Sequence, residues 1–220
     1  MIKLSGIVKE YHIAGDVLSV LKEIDLFVGE GDFLSIMGPS GSGKSSLLHI
    51  LGCLDHPTRG TYLFDGVDVC QASDEERSHL RANHIGFVFQ TFNLIPSLNL
   101  IENVELPFLY ADGDNSRSAK ERVMEVIEQV GLGARTKHKP SELSGGEMQR
   151  TAIARAAVMN PKLILADEPT GNLDSETGKG ILELFNEFHS RGTTIIMVTH
   201  DREVASRAEA RIIMRDGKIV

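Results

Sequence analysis

Gly38-Pro39-Ser40-Gly41-Ser42-Gly43-Lys44-Ser45 fits the spacing G-x-x-x-x-G-K-[ST], the pattern of a loop that cradles a phosphate chain. Phosphate oxygens must lie against bare backbone N–H groups, and glycines allow that approach because no Cβ stands in the way. Lys44 supplies a mobile positive charge for outer phosphates, and Ser45 supplies a hydroxyl for an accompanying Mg²⁺. The flanks support this reading. Phe33-Leu34-Ser35-Ile36-Met37 is an apolar run suited to a buried strand, and Lys44 to Leu51 reads as a helix closed by Gly52. That helix starts near Gly43, next to Ser46, and turns its positive end toward the same anion.

Working outward, three further apolar runs end in polar residues suited to phosphate and metal chemistry. Ile85 to Phe89 leads to Gln90, Leu163 to Ala166 leads to Asp167-Glu168, and Ile195 to Thr199 leads to His200. Continuous apolar runs of this length are typical of buried parallel strands, and ligands of open α/β sheets bind at the carboxyl ends of such strands. Lys44, Gln90, Glu168 and His200 are therefore expected around one ligand. Taken alone, Gln90 could simply end a strand and His200 could be an ordinary polar group. An acidic pair after an apolar strand is a recurring partner of the phosphate loop, so the set is more specific than its members.

Composition narrows the class. At 220 residues the chain can bury a substantial core, and its 41% hydrophobic and 25% charged content is ordinary for a globular protein. No apolar run approaches the ~20 residues of a membrane span, and the start lacks the apolar stretch of a secretory signal, so a cytosolic location is expected. Cys53 and Cys70 are too far apart for a C-x-x-C pair and are expected to be reduced, inert thiols. A net charge of −8 with no Trp argues against a nucleic-acid partner.

The remaining pattern sets the organisation. Ile24, Leu26 and Val28 alternate as on a half-buried strand. Tyr62-Leu63-Phe64 faces Val67-Asp68-Val69 across Asp65-Gly66, a hairpin signal repeated where residues 212–215 face 218–220 across Asp216-Gly217. The chain ends inside that last strand, as a trimmed chain would. A polar loop is expected over residues 111–116, followed by a capping box at Ser118-Ala119-Lys120-Glu121 and an amphipathic helix through Val123, Val126, Ile127 and Val130. A mainly helical subdomain is thus expected over residues 91–160, inside a nucleotide-binding core formed by 1–90 and 161–220, the whole being one domain.

Leu143-Ser144-Gly145-Gly146-Glu147 then opens another helix, with a second glycine-bearing N-terminus able to face an anion. On its own it would pass for an ordinary serine cap. With these residues in order, the chain resembles, over almost all its length, the nucleotide-binding subunit of an ATP-binding cassette transporter. Leu143 to Glu147 matches the family signature, Leu163 to Glu168 the Walker-B strand, Gln90 the Q-loop residue, Asn172-Leu173-Asp174 the D-loop, and His200 the switch histidine. Finer stretches, Gly52 to Asp55, Phe87 to Pro96 and Asp167 to Asp174, look like the macrolide-exporter and lipoprotein-release branch. Related ATPases for cell division, haem export and peptide-antibiotic resistance share those stretches.

The resemblance implies an α/β fold: a P-loop NTPase core with a mainly parallel sheet, an N-terminal antiparallel β subdomain and an inserted α-helical subdomain. It implies ATP and Mg²⁺ as cofactors, with residues Gly38, Pro39, Ser40, Gly41, Ser42, Gly43, Lys44, Ser45 and Ser46 on the phosphates and Tyr11 against adenine. Ser45 and Gln90 would ligate Mg²⁺, with Asp167 reaching it through water. Glu168 would act as general base and His200 would contact the γ-phosphate. Ser144, Gly145 and Gly146 would act in trans, on ATP held by a second copy of the chain. The implied partners are that second copy and a transmembrane permease docking near Gln90 and Thr91–Tyr110, which would hold the chain against the inner face of the membrane. The apolar residues of that segment would otherwise pack within the helical subdomain. The implied work is ATP-driven export or extraction of a substrate, or else the driving of a membrane machine that moves none. ATPases of DNA repair carry long insertions before the signature and ribosome-associated regulators usually carry two cassettes, and this chain has neither feature.

Overall fold

A computed structural model describes residues 1–13, 16–110 and 117–220. Its elements run β1 (Ile2–Ile13), β2 (Asp16–Val28), β3 (Phe33–Met37), α1 (Lys44–Leu51), β4 (Arg59–Phe64), β5 (Val67–Asp68), α2 (Asp74–His84) and β6 (Ile85–Val88). They continue with α3 (Leu100–Glu105), α4 (Arg117–Gln129), α5 (Gly145–Ala157), β7 (Leu163–Asp167), α6 (Ser175–Ser190), β8 (Thr194–Val198), α7 (Arg202–Ala205), β9 (Ala210–Arg215) and β10 (Lys218–Ile219).

Two sheets form. The first, in the order β2-β1-β4-β5, is antiparallel. The second, in the order β10-β9-β3-β8-β7-β6, is parallel except for the terminal β10. Both expected hairpins are present, and both use positive φ at the two turn residues: 49° and 81° at Asp65-Gly66, 50° and 81° at Asp216-Gly217. Those values belong to the primed turn whose twist matches paired strands. In β2, Ile24 and Val28 are buried while Leu21 falls out of the alternation, because Glu23 sits at φ 53° and the pairing with β1 slips there.

Among the described residues, helices and 3-10 turns occupy the stretch between β6 and β7, and α4 buries Val123, Val126, Ile127 and Val130 as their spacing demands. One expectation fails locally. The helix already begins at Arg117, so Ser118 lies inside its first turn and is not the cap. A Ser-x-x-Glu pattern is equally compatible with the first turns of a helix that already includes the residue before the serine. The loop expected at 111–116 lies outside the described residues.

The strands β3, β7 and β8 are buried along nearly their whole length, which explains their unbroken apolar sequence. One core cluster joins them to the helices, through Leu100, Val104, Ile127, Ile153, Ile164 and Phe185. The other joins them to the antiparallel sheet, through Ile2, Leu21, Ile36, Leu47, Tyr62 and Leu165.

β6 and α5 approach most closely at Gly86, where an added Cβ would stand 2.3 Å from the carbonyl oxygen of Ala156. Backbone cannot yield there as a side chain would. Gly86→Ala is expected to cost about 2 kcal/mol by overpacking, a fall in melting temperature of roughly 4–8 °C. An unchanged thermal melt would show that the strand and helix can separate freely.

Candidate active site

The carboxyl ends of β3, β6, β7 and β8 lie on one edge of the parallel sheet, and the residues following them line one cavity of ≈ 760 Å³. Ser40, Gly41, Gly43, Lys44, Ser45, Ser46, Gln90, Asp167, Glu168 and His200 all border it. The four residues expected to converge from distant sequence positions are therefore together.

The loop owes its shape to three glycines with positive φ: Gly38 at 153°, Gly41 at 76° and Gly43 at 100°. At Gly38 a Cβ would stand 2.2 Å from the carbonyl oxygen of Met214, so the C-terminal hairpin packs directly beneath the loop. The Gly217 N–H donates to Ser42 O at 3.2 Å and strengthens that support. Gly43 caps α1, whose first-turn amides have no acceptor within their own helix and face the cavity side of the loop. Lys44 is buried, and its ammonium donates to the carbonyls of Gly38 and Pro39 at 2.9 Å each. Ser42 is buried against the hairpin side, and among the described residues its hydroxyl has no hydrogen-bond partner.

Asp167 closes β7, and the Ser45 hydroxyl lies close enough to its carboxylate to favour the charged form. Burial raises the Asp167 pKa, with the neighbouring Glu168 charge adding to it and Ser45, His49 and Lys44 partly offsetting it. Glu168 follows with φ 45°, a strained position for a residue with a side chain, held by its N–H donating to Val198 O at 2.9 Å. Its Oε1 lies 2.8 Å from His200 Nδ1. The carboxylate is sheltered and the imidazole is exposed. Gln90 contacts Asn172 twice: the Asn172 amide donates to the Gln90 carbonyl at 2.9 Å, and Gln90 Nε2 donates to Asn172 Oδ1 at 3.4 Å.

The oxygens of Ser45, Gln90 and Asp167 are hard donors on one wall, beside a loop shaped for phosphates. That set suits Mg²⁺, which prefers one or two carboxylates shared with substrate phosphates to an all-protein cage. The residues present thus fit both ATP and its metal.

A raised carboxyl pKa has a definite consequence. The folded chain favours protonated Asp167, so its contribution to stability is present below the unfolded carboxylate's pKa and is lost as pH rises through the raised value. At neutral pH the ionised group is a net cost to the nucleotide-free chain. Asp167→Asn is expected to melt at a higher temperature than wild type at pH 7–8, with the gap narrowing toward about pH 4. A wild-type melting temperature equal to the variant's across that range would remove the burial cost.

Several expected residues do not themselves line the cavity. Tyr11 is not among the cavity's lining residues. Its hydroxyl donates to Asp55 at 2.8 Å and bonds with Ser46, and the Lys9 ammonium sits 4.8 Å from its ring centroid. Leu18 and Val20 of β2 border the cavity instead, and no motif in the sequence marks them. Ser144, Gly145 and Gly146 are also away from the cavity. Ser144 caps α5 in a reciprocal capping box with Glu147, while Cβ atoms on Gly145 and Gly146 would meet Leu173 and Thr177, at 3.4 and 2.4 Å.

Residues 91–110 divide. Leu100 and Val104 are fully buried in the core, whereas Leu106, Pro107 and Tyr110 border a separate groove of ≈ 510 Å³ with Phe87, Phe89 and Met159. Phe87 and Phe89 stack there, ring centroids 5.4 Å apart.

A phosphate loop, a strand-end acidic pair and a switch-like histidine converging on one parallel sheet define a P-loop nucleotide triphosphatase, and the helix capped by Ser144 beside the D-loop narrows the class to ATP-binding cassettes. A family model described as ABC transporter matches residues 21–171. YvrO of Bacillus subtilis, an uncharacterised ABC transporter ATP-binding protein, is 49% identical over all of this chain and 96% of its own length. The macrolide export ATP-binding/permease protein MacB of Escherichia coli is 45% identical over all of this chain, which spans 34% of that protein. A solved dimer of the cassette MJ0796 in a post-hydrolysis state, bound to ADP and Pi, superposes with a TM-score of 0.92 at 44% identity and covers all of this chain and 96% of that one. The chain belongs to the ABC transporter family as an ATP-binding subunit and is an ATPase. Among the described residues no helix is long and apolar enough to cross a membrane.

Proposed function

We propose that the chain is the motor of a MacB-like exporter, in which two copies close around two Mg-ATP and a membrane-embedded permease is driven toward export or extraction of its substrate. The observation that carries this is the division of the nucleotide machinery: loop, metal-binding oxygens and Glu168 share one cavity, while the signature residues cap a helix and do not line it. A second copy can supply what one copy lacks. The dimeric MJ0796 cassette and the permease fused to the MacB relatives support that assembly.

In this reading residues 38–46 hold the phosphates, Lys44 neutralises the outer ones, and Tyr11 lies toward the adenine. Ser45 and Gln90 would hold Mg²⁺ directly and Asp167 through water. Mg²⁺ would supply charge neutralisation to the developing negative charge on the phosphate oxygens. Glu168 takes the proton of the attacking water, and His200, 2.8 Å from it, keeps that carboxylate oriented and reaches the γ-phosphate. Ser144, Gly145 and Gly146 of the second copy add donors to that phosphate. The groove beside Phe87, Phe89 and Tyr110 receives a cytoplasmic segment of the permease, which places the chain on the inner face of the membrane. The chain then acts as one cassette, with core 1–90 and 161–220 and signature subdomain 91–160.

Mixing two inactive variants tests the shared site. Ser144→Arg and Lys44→Ala are each expected to be inactive alone. Combined, they should regain hydrolysis, because a mixed pair contains one intact loop facing one intact signature. A mixture as inactive as its parts would favour a site complete within one chain.

A further inference from the structure

We propose that Arg155 is a positioning residue for Gln90, acting by clamping the two residues Phe92 and Asn93 in a left-handed conformation. Arg155 projects from α5, and its two terminal nitrogens donate to backbone carbonyls of that pair, Nη1 to Asn93 O at 2.6 Å and Nη2 to Phe92 O at 2.9 Å. Phe92 has φ 62° and Asn93 φ 49°. Left-handed backbone is unfavourable for residues with a Cβ, and for a bulky residue such as Phe it is an outlier that the surroundings must enforce. A planar guanidinium with two parallel donors can enforce it, because its rigid fork fixes the directions of both carbonyls, whereas a lysine ammonium on a flexible stem can bond carbonyls without setting their geometry.

The clamped pair follows Thr91 directly, and local hydrogen bonds join it to Phe89 and Thr91, the two residues that flank Gln90. The Asn93 N–H donates to Thr91 O at 2.6 Å, the Thr91 hydroxyl to Asn93 Oδ1 at 2.9 Å, and the Phe92 N–H to Phe89 O at 3.1 Å. Gln90 itself is held from the opposite side by Asn172. Arg155 has no carboxylate partner among the ion pairs of the described residues. Desolvation lowers its pKa, so the two carbonyls carry its stabilisation inside the protein. Arg155 and Asn93 also border the ≈ 510 Å³ groove, while Gln90, two residues before Phe92, borders the nucleotide cavity.

The inference rests on Gln90 as a Mg²⁺ ligand. Binding of the slowly hydrolysed analogue ATPγS, titrated with and without Mg²⁺, separates the two. Gln90→Ala should lose the Mg²⁺ enhancement of affinity. Arg155→Lys should bind ATPγS alone as wild type does, yet lose roughly ten-fold of that enhancement, the lower range for disturbing a group that orients a metal ligand. Asn93→Val, which keeps the guanidinium but penalises left-handed backbone, should do the same, and it decides alone should Arg155→Lys fail to fold. Amide exchange over residues 91–94 of the nucleotide-free chain should quicken in both. Wild-type enhancement in folded Arg155→Lys and Asn93→Val beside its loss in Gln90→Ala would overturn the clamp and leave the Gln90 role standing. Full enhancement in Gln90→Ala would remove that role and the clamp with it.

Discussion

Glu168→Gln is expected to bind ATP as the wild type does and to hydrolyse it about 10²–10⁴-fold more slowly, the range for removing a general base. The amide has the carboxylate's shape and can keep the contact with His200, where Oε1 now lies 2.8 Å from Nδ1. What it loses is the ability to accept a proton from water. The backbone supports, Glu168 N–H to Val198 O and Gly171 N–H to Glu168 O, do not depend on the side chain, so the strained φ of 45° should persist. In the proposed cycle closure needs ATP and reopening needs hydrolysis, so the variant should collect as a dimer when ATP is added. Single-turnover kinetics and size-exclusion chromatography read both effects. Turnover within a few-fold of wild type would take Glu168 out of the chemistry.

Lys44→Ala should lower ATP affinity by roughly one to two orders of magnitude, the scale of a charged hydrogen bond worth about 1.5–3 kcal/mol, and should leave no measurable turnover. Its ammonium is buried within the loop and bonded to the Gly38 and Pro39 carbonyls, so truncation removes both the charge offered to phosphate and a brace of the loop. Lys44→Arg separates the two effects. It keeps a cation but is too bulky for a buried lysine's place, so restored affinity without restored turnover would locate the charge requirement in binding. Wild-type affinity in Lys44→Ala, measured by calorimetric titration, would contradict the phosphate-holding role.

What could be read in the sequence was local chemistry. The phosphate loop is legible because positive φ and close backbone approach select glycine, and the two Asp-Gly hairpins because their turns require positive φ at consecutive positions. The buried strands announce themselves by length and unbroken apolar character. The helix α2 gives almost no periodic signal, since Leu80 is its one buried residue, and only the Ser73–Glu76 capping box marks its start. The misplaced start of α4 has the same origin, as helix ends shift by one or two residues that spacing does not resolve.

By itself, then, the sequence determined that Gly38 to Ser45 has the pattern of a phosphate-binding loop, and that buried strands lead to Gln90, Asp167-Glu168 and His200. Only the tertiary structure decided which residues share a wall and which do not. Leu18 and Val20 reach the cavity because a slip in β2 pairing and the β1–β2 sheet carry them there. Gln90 meets Asn172 from 82 residues away, and Arg155 meets Asn93 from 62. Such contacts leave no periodic or compositional trace, because hydrogen bonds between distant segments depend on how packed layers align the backbone. The signature at Ser144 to Gly146 is the clearest case: its residue types suit an anion, yet its place outside the cavity, with Gly145 and Gly146 against Leu173 and Thr177, is fixed by the packing of α5 and α6.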